Sequence, residues 1–157
     1  MPLLHSEAQA ALLEAGALSH RLAERYAQAA RQMDEHTDAD EQSQAAQALR
    51  QSFGRYADAL SRQAGRLDES ARSLDLLPRE PNTELETLKQ LADHIQTLLD
   101  DRQGAALAKR FMEEEETLLA ELKQAAELDP CPESVTAGIA GGRERLDELR
   151  GFGLSRD

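Results

Sequence analysis

Between residues 40 and 77 the side chains Leu49, Phe53, Tyr56, Leu60, Gln63, Leu67 and Leu74 return at a nearly heptad rhythm. A chain with that spacing has to bury one face of a long helix. The same logic places a first helix over about 7–35, where Ala11, Ala15, Leu18, Leu22, Tyr26, Ala29 and Met33 recur at steps of three and four. Pro78 and Pro81 stop the second helix, and Thr83 followed by Glu86 has the spacing of a capping box that starts a third over about 83–101, through Leu88, Leu91, Ile95 and Leu98. A break at Gly104 leads into a fourth over about 105–128, through Leu107, Phe111, Leu118, Leu122 and Ala125. A fifth, over about 133–150, is patterned more weakly by Val135, Ile139, Leu146 and Leu149, and Gly138, Gly141 and Gly142 lower its intrinsic stability. The chain has one valine and no useful alternating apolar run, so no strand competes. The expected fold class is all-α.

A chain of 157 residues fits one domain, residues 1–157, around a single core. Thirty acidic against eighteen basic side chains give a formal charge of -12, which repels phosphate backbones and anionic lipid and favours basic partners. Nucleic acid is therefore not an expected partner. The N-terminal stretch has no positive n-region and carries Glu7 and Glu14 among its apolar residues, so it does not read as a secretory signal. No apolar run reaches the ~18 residues of a membrane span, and the expected location is cytoplasmic. Cys131, the one cysteine, lies between two prolines with no cation within five residues to activate its thiol.

Two helices, an intervening segment over 78–104, and two further helices resemble the layout of the ferritin-like superfamily, in particular its small bacterial rubrerythrin-like proteins of unassigned function. The resemblance extends to "FGRYADALSRQAGRL", where Phe53, Tyr56, Ala57, Ala64 and Leu67 match the frame around that family's metal-binding Glu-x-x-His. Leu60 stands where the glutamate would be and Gln63 where the histidine would be. The resemblance implies a four-helix bundle with an additional crossover helix over 83–101. The alternative is a five-helix up-and-down bundle. It also implies that the di-metal ligands are missing, since leucine cannot ligate and glutamine lacks the charge or imidazole that iron and manganese favour.

Four consecutive glutamates, Glu113 to Glu116, bear on that expectation. At about 100° per residue, Glu114 and Glu115 flank the apolar stripe of their helix, whereas Glu113 and Glu116 point away. Glu114 and Glu115 are thus the candidate metal ligands if any survive. A dinuclear site needs matching ligands from facing helices. Glu24 lies about 160–200° from its own stripe, Asp58 lies opposite Leu60, and Glu144, Asp147 and Glu148 share their helix with the inward pair Leu146 and Leu149. The pairs His20/Glu24 and His36/Asp40 have i, i+4 spacing but fall off the apolar seams, and His5 and His94 are scattered. An inward carboxylate without metal needs a donor, and Arg55, Gln63, Arg62, Arg66, Lys109 and Arg110 are the candidates. The strip Gly54, Asp58, Ser61, Gly65, Asp68 reads as a solvated face.

No phosphate loop, nucleophile elbow, C-x-x-C or H-E-x-x-H motif occurs. The leading expectation is a non-enzymatic, metal-free bundle with no cofactor, acting as a binding or assembly module with a second copy or another protein as partner. One alternative is a divergent iron or manganese oxidoreductase, or peroxide-handling protein, using Glu114 and Glu115. The other is an acidic adaptor or chaperone for a basic partner helix.

Overall fold

In the computed structural model, residues 6–36, 44–78 and 104–154 are described. They form four helices: α1 Glu7–His36, α2 Gln44–Ser73, α3 Gly104–Ala125 and α4 Glu133–Leu154. The described residues contain no strand, so the chain is all-helical there. The helix expected over 83–101, with its Thr83/Glu86 cap and the choice between crossover and bundle member, lies outside the described residues.

Local chemistry sets the ends. Ser6 and Gln9 form a reciprocal cap in which Ser6 Oγ accepts from the Gln9 N–H and Gln9 Oε1 accepts from the Ser6 N–H, each at 3.1 Å. This fixes the start of α1 one residue later. At the far end of α2, Asp75 takes a left-handed conformation with φ 59°. The Leu76 N–H reaches the Ala71 carbonyl at 2.9 Å and the Asp75 N–H reaches that of Arg72 at 3.0 Å, the double bond of a Schellman motif. The turn breaks the heptad rhythm. Leu74, expected in the seam, is 40% exposed, and Ala71 and Leu76 are buried instead.

α1 packs on α2 and α3, and α4 closes the ring against α3 and α2. Every neighbouring pair is antiparallel. Ser19 and Tyr26 of α1 meet Gln63 and Phe53 of α2; Ser70 and Tyr56 of α2 meet Ser134 and Glu148 of α4; Leu122 and Glu115 of α3 meet Gly138 and Arg145 of α4. Tyr26 also stacks on Phe111, while Leu18 and Leu118 share a cleft farther along α1 and α3. It follows that α2 and α3 run in the same direction at opposite corners, and that the end of α2 and the start of α3 stand at opposite ends of the bundle. The helices therefore bring one face each to a common axis. There the core takes residues from the expected stripes of all four, including Phe53, Leu60, Leu67, Leu107, Phe111, Leu118, Leu122, Val135 and Leu149, with Leu18 and Ile139 partly buried against it.

Candidate functional site

Halfway along this axis the core is not apolar. Among the described residues the buried polar side chains are Ser19, Ser52, Gln63, Glu115 and Arg145. Each helix contributes at least one, and lateral packing joins Gln63 to Ser19 and Glu115 to Arg145, whereas Ser52 meets Arg55 of its own helix.

Glu115 is fully enclosed. Its Oε2 accepts from Arg145 Nε at 2.6 Å and from the Tyr26 hydroxyl at 2.7 Å. The phenol in turn is fixed by rings: Tyr26 stacks on Phe111 at 4.3 Å and meets Phe53 and Tyr56 at 5.3 Å each. Burial, then the charge of Glu115 and the hydrogen bond to it, push the Tyr26 pKa well above its ordinary value. Tyr26 is therefore a donor at neutral pH. Glu115 Oε1 and Arg145 Nη2 are also buried and find no hydrogen-bond partner among the described residues.

Room for the guanidinium comes from α4 itself. A Cβ added to Gly141 would lie 3.3 Å from Arg145 Nη1, and one added to Gly142 would lie 3.8 Å from Nη2. These glycines precede Arg145 by four and three residues, on the face that a helical side chain covers when it leans toward the N-terminus. Gly138 admits Leu122 and Gln63 in the same way, with contacts of 3.2 and 3.3 Å to its hypothetical Cβ. The glycines that weaken α4 by propensity leave space for its neighbours' side chains.

The expected donors to the glutamates need correction. Gln63 is buried as expected but donates to Ser19 Oγ at 3.0 Å, and Ser19 Oγ donates to the Ala15 carbonyl at 2.7 Å. Arg55 pairs with Glu148 at 3.2 Å. Glu115 is held by Arg145 and Tyr26, neither of which the sequence reading nominated, and Glu114 pairs with Arg25 across the α1/α3 boundary. The phase of the glutamate run is as expected: Glu115 is buried, Glu114 half-buried, and Glu113 and Glu116 exposed.

Leu60 is buried at its expected place, and Glu24 and Asp58 are exposed. Among the described residues no three His, Cys, Asp or Glu side chains gather as a metal-ligand set. His20 does not pair along its helix with Glu24 but across to Asp68, at 2.8 Å. Asp58, Ser61 and Gly65 of the small polar strip are solvated. Cys131 lies exposed in the loop between α3 and α4.

A second carboxylate–arginine–tyrosine group joins the buried Tyr56 to the exposed Glu148 and Arg55. Glu148 Oε1 accepts from the Tyr56 hydroxyl at 3.0 Å and from Arg55 Nη2 at 3.2 Å. Burial and then Glu148 raise the Tyr56 pKa. No described helix is long and apolar enough to cross a membrane. Comparison with protein families, with curated proteins and with solved structures finds no match to this chain.

Proposed function

We propose that this chain is a ferritin-like bundle in which the Arg145 guanidinium supplies the positive charge that a di-metal centre would otherwise provide, and that it works as a binding or assembly module. The observation that carries the reading is the 2.6 Å contact between Arg145 and the enclosed Glu115. A carboxylate in the core needs a counter-charge. Here the protein provides it.

Among the described residues the donor set supports this reading over a dinuclear site. Leu60 has no ligand atom, Gln63 is committed to Ser19, and Glu115 and Glu114 are engaged by Arg145 and Arg25. A dication beside Glu115 would have to face a buried guanidinium. The helix directions support the ferritin-like part, because parallel second and third core helices are a feature of that bundle type. The acidic surface favours a basic protein or a second copy of this chain with a complementary patch, in a cytoplasmic setting.

The competing di-metal reading predicts a different composition. Purified protein, loaded with iron(II) or manganese(II) and desalted, is expected to retain far less than one metal per chain by mass spectrometry of its elements. Retention of about two per chain would overturn the proposal, two being the complement of a dinuclear carboxylate centre.

A further inference from the structure

Beside the central pair, on the boundary between α1 and α3, lies a cleft of about 190 Å³. Leu18, Leu22 and Leu118 make part of its lining apolar, while Arg21, Arg25 and Glu114 bring charge to it. Glu114 pairs with Arg25. That leaves Arg21 Nε and Glu114 Oε2, both buried without a hydrogen-bond partner among the described residues, and Arg21 as the cation with no ion pair there. Two guanidinium groups against one carboxylate give the cleft a surplus positive charge, in a chain whose formal charge is -12. Burial, then Arg21 and Arg110, lower the Arg25 pKa, so a third cation also bears on the place. A guanidinium set beside apolar walls is costly unless an anion meets it.

We propose that this cleft binds a small organic carboxylate with a compact apolar body, its carboxylate accepting from Arg21 and its body lying against the leucines. Size supports the choice, since an apolar cavity of about 150 Å³ accommodates benzene. Inorganic phosphate would satisfy the arginine but leave the leucines bare. A neutral amide of the same shape would fill the space but lack the charge. The inference does not rest on what the bundle's centre holds, because α1 and α3 form the cleft by themselves.

Phenylacetate is a suitable probe, with phenylacetamide, inorganic phosphate and a short peptide ending in phenylalanine as comparisons, read by methyl chemical shifts of the full chain. Saturable binding of phenylacetate with a Kd of about 1 mM or tighter is expected, with the shifts centred on Leu18, Leu22 and Leu118. The amide and phosphate should each bind at least about tenfold more weakly, as should phenylacetate to Arg21→Met. No saturation by about 10 mM phenylacetate, equal binding of the amide, or shifts centred elsewhere would overturn the proposal. Tighter binding of the peptide than of the free acid would overturn the assignment to a small molecule. The ligand comparisons and the shift map use the unaltered chain, so they decide the matter even if the Arg21 variant folds poorly.

Discussion

The molecule contains one chemical group of three side chains twice: carboxylate, arginine and tyrosine as Glu115, Arg145 and Tyr26, and again as Glu148, Arg55 and Tyr56. The two tyrosine rings touch edge to face at 5.3 Å, so the groups are neighbours. Both tyrosines are buried, and the groups differ in the exposure of their charged members. The side chains of Glu115 and Arg145 are 0% and 6% exposed, those of Glu148 and Arg55 44% and 64%. The inner distances are also shorter, 2.6 and 2.7 Å against 3.2 and 3.0 Å. In water an ion pair exchanges good solvation for modest attraction, whereas in the core each charge depends on the other. The same residues therefore form a structural centre in one place and a surface contact in the other.

Removal of the inner cation gives the largest expected effect. Arg145→Met should destabilise the fold by about 3–5 kcal/mol in urea unfolding, because Glu115 is left charged and enclosed. Next comes Tyr26→Phe, which removes a donor to a charged acceptor and should cost about 1.5–3 kcal/mol. It should also alter the alkaline limb. Burial and Glu115 raise the Tyr26 pKa in the folded state, so folding favours the protonated phenol. That contribution is whole below the unfolded phenol's pKa of about 10 and is lost as pH rises through the folded value. Unfolding midpoints should therefore fall above about pH 10, and fall less in Tyr26→Phe than in the parent. The outer group gives the smallest effect: Glu148→Gln should change stability by no more than about 1 kcal/mol, and by less in high salt. An outer loss as large as the inner one would break the comparison.

Much of the bundle was legible because burial and helical period are the same information. The stripe from Ala11 to Met33, the seam from Leu49 to Leu67 and the stripe from Leu107 to Ala125 all enter the core, with Leu18 half-buried. Leu74 was not legible by period, since a non-glycine residue at positive φ, Asp75, ends the helix three residues ahead of Pro78, where the heptad rhythm still runs. At the site, rotation alone separated Glu115 from Glu113 and Glu116. Its partner was missed for a definite reason. Acids and leucines draw the eye in "RERLDELR", yet Val135, Gly138, Gly142, Arg145 and Leu149 step three-four-three-four, and that rhythm carries an arginine through the seam beside small residues. Glycine at core positions reads as instability when it can equally be space for a long side chain from the next turn. Tyr26 sat in a recognised stripe, but which helix supplies its acceptor is a tertiary fact that no spacing within α1 contains.

The central claim, that Arg145 is the counter-charge of Glu115, is tested most directly by a double-mutant cycle on Glu115→Gln and Arg145→Met. Urea unfolding of the parent, the two single variants and the double variant is predicted to give a coupling of at least about 2 kcal/mol, with the double variant more stable than Arg145→Met alone. Losses that simply add, leaving the double variant the least stable of the four, would contradict it.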